Sequence, residues 1–381
     1  MHVAWRAVLL ILLRSGVAVI AVMTSSSCLG IDADEGPQCH SLTCVSLLQR
    51  RAALSTKLES HVVRRRRLGS HLLRWSTRES SFSERHGLLD EVHQYAELYH
   101  RALSQRSMIF YMHVAKTAGT HLCSVGRANG CRSAHSNCQK FVIDGPAWSG
   151  RGDIRPDQRP DTCAGLSELY TNLTIEGNEN YLFAEGLCPN FWNTVVLRDP
   201  IVRLISHLSM IHEDVRWQTR FPFIGIAPYP VPQVVFDELP QLSNNFIIRQ
   251  MLGKDVYDLP FGSINETHLE EAKRVLESFD VILLNEEGND SKLNTDIDVT
   301  LGLSSPSSNQ MHRVGSTDTY RQKLNWTRAE YEEVTAANAM DLELLQHAKA
   351  LERIDQQVFM HYVFSKVSET MLRAPCGYLS K

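Results

Sequence analysis

The residues from Val114 to His121 combine a lysine, two threonines and a glycine directly after an apolar run. That run, Met108 to Val114, predicts a short β-strand, and a helix is expected from about Thr120. A strand that enters a helix through a glycine loop points amide groups and the positive end of the helix dipole at one place. This arrangement suits a phosphate or sulfate group, for which the candidate ligands are Lys116, Thr117, Ala118, Gly119, Thr120 and His121.

The order of residues separates this loop from a Walker A motif. Lys116 precedes Gly119, and the chain has no G-x-x-x-x-G-K-[ST] sequence, which disfavours a kinase or GTPase. No G-x-G-x-x-G follows a predicted strand, which disfavours a dinucleotide oxidoreductase. The alternative explanation of the loop is an ordinary strand-to-helix turn.

A second strand-to-helix segment runs from Thr194 to Ser206. Asp199 predicts an N-cap, and Pro200 suits the first helical position, where its missing N–H does no harm. Arg198 at the strand end and Ser206 two helical turns later are expected to converge on a second anion. The alternative is a salt bridge of Arg198 at a helix start.

The two segments, in this order, resemble the membrane-bound carbohydrate sulfotransferases of the secretory pathway, above all the heparan sulfate 2-O- and 6-O-sulfotransferase branch. In that family the first loop holds the 5′-phosphosulfate of 3′-phosphoadenosine-5′-phosphosulfate (PAPS). An Arg-x7-Ser pair, the spacing of Arg198 and Ser206, holds its 3′-phosphate. The likeness spans about residues 108–360, with weaker matches at 243–249, 272–286 and 338–341.

The resemblance implies sulfate transfer from PAPS, as co-substrate, to a carbohydrate hydroxyl, with no metal required. Charge builds on the leaving nucleotide during such a displacement, and Lys116 with the loop amides is expected to stabilise it. The acceptor hydroxyl needs a general base. Glu185 is the first candidate, and His207 and His212 are the alternatives. The other explanation of Glu185 is a surface or salt-bridged carboxylate.

Four further side chains receive roles from their position together with the resemblance. His113, in the strand before the loop, is expected to pack or to position other groups. Arg249, His312 and Arg313 are expected to touch nucleotide or substrate, with Arg313 counted among the cofactor ligands.

Composition limits the partners. The 381 residues carry 39 Lys and Arg against 43 Asp and Glu, a net charge of -4, which excludes a generally basic nucleic-acid binder. The body is acidic and the front basic, so a polyanionic acceptor would need local positive charge. Arg151, Arg155 and Arg159, in a predicted loop over 143–165, either supply it or form a solvated loop.

The first residues of the chain predict an export signal. Ala7 to Met23 is apolar except for Arg14, Ser15 and Gly16, which predicts a signal anchor or a cleaved signal peptide over residues 1–29. Four N-x-S/T sequons follow and predict glycosylation at Asn172, Asn265, Asn289 and Asn325. The expected location is the Golgi membrane, single-pass type II with a lumenal catalytic domain, or else secretion.

The nine cysteines also fit an oxidising compartment. Because nine is odd, at least one thiol is free or joins another chain. Cys123, Cys131 and Cys138 have no histidine at zinc-like spacing, so disulfides are favoured over a metal.

The pattern of elements predicts an α/β fold. Apolar runs at Tyr181 to Ala184, Thr194 to Leu197 and Val281 to Leu284 alternate with helical periodicity, which indicates a central parallel sheet flanked by helices. A capping box at Thr327 and Glu330 predicts one long helix through Leu351. With the resemblance, this implies a P-loop-like three-layer fold.

The predicted domain organisation has four parts. Residues 1–29 are the signal segment, 30–106 a helical stem with an Arg64 to Arg67 run, 107–366 the sulfotransferase domain and 367–381 a C-terminal tail. The rival functions are protein-tyrosine sulfation and a non-catalytic relative that binds nucleotide or glycan. Expected partners are a glycan acceptor and, if the first helix is uncleaved, the membrane; the oligomeric state is open.

Overall fold

The structure, a computed structural model, describes residues 106–139, 160, 162–182, 185–213, 232–286, 290–305, 322, 324–366 and 376–377. The predictions for the signal segment and for stem residues 30–105 lie outside these ranges. The same is true of Asn289, of His312 and Arg313, and of the three arginines of the 143–165 loop. Among the helices within the described ranges, none combines the length and apolar character needed to cross a bilayer.

The centre of the fold is a four-stranded parallel sheet. Its strands are β1 (Met108–Met112), β2 (Ile175–Asn178), β3 (Phe191–Leu197) and β4 (Val281–Leu284). Their spatial order is β2-β1-β3-β4, and every neighbouring pair is parallel. The predicted α/β class with a parallel sheet and flanking helices is confirmed.

Helices connect the strands and continue beyond them. The first six in chain order are α1 (Gly119–Ala128), α2 (Cys163–Leu169), α3 (Pro200–Glu213), α4 (Pro232–Glu238), α5 (Pro240–Ser243) and α6 (Phe246–Met251). The following ones are α7 (Lys254–Tyr257), α8 (Glu266–Glu277), α9 (Asp290–Leu301), α10 (Arg328–Ala337) and α11 (Ala339–Lys366).

The strands alternate side chains between two hydrophobic cores. In β3, Val195 and Leu197 join the core that contains α3, α6, α8 and α11, whereas Trp192 and Val196 join the core that contains α1 and α9. Because successive side chains of a strand point to opposite faces, helices cover both faces of the sheet. Parallel strands buried on both faces read as continuous apolar runs, which is why β1, β3 and β4 were recognisable in the sequence.

The prediction for the remaining strand was wrong. Tyr181 and Leu182 lie outside any strand, residues 183 and 184 are outside the described ranges, and the strand beside β1 at this edge of the sheet is instead β2, whose residues are Ile-Glu-Gly-Asn. A Cβ atom at Gly177 would lie 2.5 Å from the ring of Tyr111, so glycine is needed where β2 pairs with β1. The pairing depends on this tertiary fit, and hydrophobic periodicity does not detect it.

Two helical predictions need correction. The predicted long helix is interrupted at Asn338, which separates α10 from α11. The Asn338 side-chain amide donates to the carbonyls of Ser243 and Val334, and such side-chain bonds compete with the helical ladder. The end of the predicted 143–165 loop is also wrong, because α2 begins at Cys163.

The predicted starts of two helices, α3 and α10, agree with the structure. Asp199 Oδ1 accepts from the amides of Ile201 and Val202, both at 2.9 Å, and Pro200 is the first residue of α3. The Thr327 and Glu330 capping box is present at the start of α10. Both N-cap predictions are confirmed.

Three disulfides join described cysteines: Cys123–Cys138, Cys131–Cys376 and Cys163–Cys188. The preference for disulfides over a metal at Cys123, Cys131 and Cys138 is therefore confirmed. Cys376 belongs to the predicted C-terminal tail, yet it is buried and its amide donates to the Asn129 carbonyl at 2.8 Å. The other three cysteines lie outside the described residues.

Candidate functional site

The site is best located from the order of the strands. The chain leaves β1 toward β2 on one side and reaches β3 on the other, so the connections diverge between β1 and β3. In open parallel sheets, ligands bind beyond the carboxyl ends of the strands at such a switch point. The loop 113–118 and Arg198 follow those two carboxyl ends.

The loop after β1 has an unusual backbone. Lys116 and Ala118 adopt φ of 69° and 83°, in the left-handed region, which costs about 1 kcal/mol or more for each non-glycine residue. Within the described residues, no side chain caps the amino end of α1. Strained residues of this kind cluster at ligand clamps, and the amides at a helix start attract anions.

The Thr117 hydroxyl has a different role from the one predicted. Its Oγ1 donates to the Val114 carbonyl at 2.7 Å, and the side chain is fully buried. The hydroxyl proton therefore stabilises the turn and is not available to an anion. Thr120 is exposed in the first turn of α1, where its hydroxyl remains accessible.

Gly119 is required by the ring of His113. A Cβ atom at this position would overlap the imidazole carbons Cγ and Cδ2, and His113 is itself buried. The first residue of α1 therefore lies against the side chain of His113, the residue that directly follows β1. The contact between Gly119 and His113 holds the start of α1 close to the carboxyl end of β1.

We expect Gly119→Ala to lower the free energy of unfolding by about 1–3 kcal/mol, as overpacking of a core does. The neighbouring change Ala118→Gly is the matched control. It should raise stability by up to about 1 kcal/mol, because glycine adopts a positive φ without strain. Urea unfolding of both variants measures the effects. Equal effects in the same direction would contradict this account of the loop.

Arg198 joins the two predicted anion segments. Its Nη1 donates to the Lys116 carbonyl at 3.3 Å, and both side chains are half-buried. The guanidinium therefore crosses from the end of β3 to the loop after β1. The two segments lie together at one edge of the sheet.

A further arginine, Arg203, lies behind this pair. It is fully buried in α3; Nη2 donates to the Leu242 carbonyl at 2.6 Å, and the guanidinium carbon lies 4.2 Å from the centre of the Phe246 ring. Burial lowers the pKa of Arg203 to about 10, and the charge of Arg198 acts in the same direction. Arg203 is still charged at neutral pH and adds to the positive field. Its role was not recognised in the sequence.

His207 belongs to the same cluster. It is fully buried in α3, its Nδ1 lies 3.4 Å from Arg203 Nη1, and its ring meets the Phe246 ring edge-on. Burial, followed by the charges of Arg203 and Lys116, lowers the pKa of His207 well below 6.5. The imidazole is neutral at pH 7 and a weak base.

The other two predicted residues of α3, Ser206 and His212, lie in different turns of the helix. Ser206 is half-buried in the second turn, and His212 is half-buried in the last turn. The expected convergence of Ser206 and Arg198 on a second anion stays a prediction.

A second polar group lies on the β2 side of Lys116. His113 Nδ1 is 2.9 Å from Gln139 Nε2, and His113 Nε2 is 3.7 Å from Glu179 Oε1. Gln139 Nε2 also donates to Glu179 Oε2. All three side chains are buried. Burial lowers the pKa of His113, opposed by Glu179 and assisted by Lys116.

Neither Glu179 nor Gln139 was identified in the sequence. Glu179 directly follows β2, so it reaches the same carboxyl edge as the loop, but the strand itself was misplaced. Gln139 pairs with Gly177 through an isolated parallel bridge. Correct recognition of β2 would have been the signal for Glu179.

Glu185 contacts the start of α2. It is exposed, and its Oε2 accepts from the Cys163 amide, the first residue of α2, at 2.7 Å. His121 also has a partner within the fold: its Nε2 lies 2.6 Å from Asn294 Oδ1 of α9. That contact directs the imidazole toward α9.

Arg249 was expected to touch nucleotide or substrate, and its contacts are internal instead. The side chain is fully buried, and Nε donates to the Asn244 carbonyl at 2.7 Å. Its Nη atoms donate to the carbonyls of Val256, Tyr257, Leu259 and Pro260 and to Asn244 Oδ1. The guanidinium ties the α7 region to α6 and is structural.

Two segments chosen for their family likeness contact each other. Asn338 Oδ1 accepts from the Asn245 amide at 3.1 Å. Asp341 accepts from the amides of Ile247 and Ile248 at 2.9 and 3.0 Å, which caps α6. Residues 338–341 therefore hold α6, whose first residue, Phe246, supports Arg203 and His207.

One group of carboxylates among the described residues has metal-like spacing: Glu266, Glu270 and Glu343 bring oxygen atoms within 4.8 Å of one another, and all three are exposed. Lys273 Nζ lies 2.7 Å from both Glu270 and Glu343. Lys273 already pairs with two of the three carboxylates, and exposed acidic groups with such spacing are common without a metal.

Three predicted glycosylation positions are on the surface. Asn172, Asn265 and Asn325 are exposed. Asn265 Oδ1 accepts from two amides at the start of α8, and its side-chain nitrogen points away from these bonds. Their exposure is compatible with attached glycans.

Comparison with known proteins adds no assignment. No protein-family model matches the chain, and no curated protein matches its sequence.

Proposed function

We propose that this protein is a sulfotransferase that moves sulfate from PAPS to a hydroxyl of a carbohydrate in the secretory pathway. The observation that carries the proposal is the hydrogen bond from Arg198 to the Lys116 carbonyl, at the switch point of the sheet. It brings together the two segments that resemble the 5′-phosphosulfate and 3′-phosphate sites of the sulfotransferase family. The proposal includes the P-loop-like version of the fold.

The charges at this edge favour a bisphosphorylated nucleotide. Lys116 and Arg198 are half-buried, and Arg203 is a buried cation behind them. The lysine ammonium and the amides at the start of α1 would face the phosphosulfate end. Arg198 and Ser206 would hold the 3′-phosphate. Such fixed donors stabilise charge that develops on the leaving nucleotide.

For the general base, Glu179 joins Glu185 as a candidate. Glu179 follows β2 at the same edge as the loop, and it lies beside His113, whose pKa responds to Lys116. Glu185 contacts the start of α2, whereas Glu179 contacts His113, which directly follows β1 and precedes the anion loop. His207 is neutral but fully buried among cations, which makes it a poor acceptor for a substrate proton. We therefore assign the base to Glu179.

The decisive test is an assay of labelled sulfate transfer from PAPS by the full chain. Glycans and tyrosine-containing peptides are offered side by side, and binding of adenosine 3′,5′-bisphosphate is measured by calorimetry. Transfer to glycans supports the proposal. Transfer to peptides alone identifies a tyrosine sulfotransferase, and nucleotide binding without any transfer identifies a non-catalytic relative. Absence of nucleotide binding refutes the proposal.

Glu179→Gln is expected to lower transfer by about 100-fold or more, which is the usual contribution of a general base. The amide keeps the shape and an oxygen that still accepts from Gln139, so the fold should persist. Glu185→Gln is the matched comparison and should retain most of the activity. Rate measurements at saturating PAPS separate the two, and the opposite pattern would return the role to Glu185.

A further inference from the structure

Gln139 is placed to control the group formed by His113 and Glu179. Its Nε2 contacts both neighbours, at 2.9 Å from His113 Nδ1 and within hydrogen-bond distance of Glu179 Oε2. Its Oε1 accepts from Asn137 Nδ2 at 2.8 Å. Every polar atom of the Gln139 amide is therefore engaged, and the side chain is buried.

The chemistry of the partners determines the orientation of this amide. An ionised carboxylate only accepts hydrogen bonds, so the Gln139 atom beside Glu179 must be the NH2 group. The second hydrogen of that group then points to His113 Nδ1, which must accept it. A neutral imidazole with an accepting Nδ1 carries its proton on Nε2, and Nε2 is the atom 3.7 Å from Glu179 Oε1.

The backbone holds Gln139 between two elements. The preceding Cys138 forms the disulfide with Cys123 of α1, and its carbonyl accepts from the Gly177 amide of β2 at 2.6 Å. Cys138 has a positive φ of 54°, a conformation that a non-glycine residue keeps only when its surroundings impose it. The segment is thus anchored both to the helix after the loop and to the strand before Glu179.

Glu179 is fixed from its other end as well. Gln250 Nε2 of α6 donates to the Glu179 carbonyl at 2.8 Å, and the Gln250 carbonyl accepts from the Leu182 amide at 2.8 Å. Backbone and side chain of Glu179 are therefore held independently. Of the two glutamines that hold Glu179, Gln139 is the one that also contacts His113.

We propose that Gln139 is a positioning residue, which holds neutral His113 in the tautomer with Nε2–H toward Glu179 and keeps the Glu179 carboxylate beside the anion loop. The tautomer part stands on the contacts alone. The consequence for sulfate transfer rests on the proposed function. Three charged or titratable groups face His113 from the elements packed on it: Glu179 after β2, Lys116 in the loop, and Tyr111, whose ring centre lies 5.7 Å away.

The test uses the full chain labelled with 15N-histidine, with the His113 signal identified by its absence in His113→Phe. We expect the wild type to carry the proton on Nε2. In Gln139→Glu a carboxylate faces Nδ1, so the proton should move to Nδ1 or the ring should become doubly protonated, with a raised pKa. Gln139→Met, which forms no hydrogen bond, should give a mixture of tautomers. Gln346→Glu, an exposed position on α11, is the charge-matched control.

A wild-type proton on Nδ1, or an unchanged tautomer in Gln139→Glu, would overturn the proposal. Sulfate transfer supplies the second readout: kcat should fall about tenfold or more in Gln139→Met, with little change in KM for PAPS and a shifted pH profile. If the tautomer is as expected but the wild type transfers no sulfate, the positioning role stands and the proposed function fails. If transfer occurs and the tautomer does not respond, only the positioning role fails.

Discussion

Lys116→Ala is expected to lower the rate of sulfate transfer by about 100-fold to 1000-fold, the usual effect of removing one preorganised donor from a developing charge. The lysine carries the mobile cation of the loop, and its charge already influences both His113 and His207. The fold should remain intact because Arg198 donates to the Lys116 backbone carbonyl, which alanine retains. Labelled transfer at saturating PAPS and acceptor measures the loss.

The same variant has a second, non-catalytic readout. The positive charge of Lys116 lowers the pKa of both histidines, so its removal should raise them, and an NMR titration follows the His113 change. Lys254→Ala, which removes an exposed lysine of α7, is the control and should change neither quantity. Near-normal transfer by Lys116→Ala, together with the expected pKa change, would show that the lysine lies at the site but does not serve the reaction.

The sequence predicts a helix or strand of this fold correctly where the conformation that a residue favours locally is also the one that its environment in the folded protein requires. The apolar runs of β1, β3 and β4 are buried strands because both faces of the sheet are covered. Asp199 caps α3 through its own short side chain, two and three residues away. Such features involve neighbours in the chain, so no knowledge of distant contacts is needed.

The missed features depend on contacts between distant residues. In β2, Glu176 and Asn178 are buried although both are polar, and Gly177 is there to make room for the Tyr111 ring. A pattern of polar residues and glycine reads as a loop unless the partner strand is known. Because β2 was missed, Glu179 could not be placed at the carboxyl edge beside the anion loop.

Arg249 shows the opposite error. A lone arginine in a segment that resembles an enzyme family suggests a ligand contact. Its donors instead satisfy carbonyl groups from Asn244 to Pro260, residues whose carbonyls converge only in the folded chain. The distinction between a binding arginine and a structural one lies in burial and in the number of internal acceptors, and neither can be read from the sequence.

The interaction between residues 338–341 and α6 leads to the largest expected effect on stability. Asp341 accepts from two amides at the start of α6 and is fully buried. Burial raises the pKa of Asp341 to about 6, against the opposing effect of the two amides and of the charges of Arg203 and Arg249. Its carboxylate therefore serves as a helix cap and as the counter-charge of two guanidinium groups.

Asp341→Ala should lower the free energy of unfolding by about 2–5 kcal/mol, because it leaves the buried amides of Ile247 and Ile248 without an acceptor and each unsatisfied buried donor costs about 1–3 kcal/mol. Urea unfolding measures the loss. Asp341→Asn should lie between alanine and wild type, since one oxygen still accepts while the NH2 group opposes an amide. Glu343→Ala removes an exposed carboxylate from the same helix and should change stability by less than about 1 kcal/mol. If Glu343→Ala and Asp341→Ala changed the free energy of unfolding equally, α6 would be held by its apolar contacts alone. The packing of Phe246 against Arg203 and His207 would then not depend on Asp341.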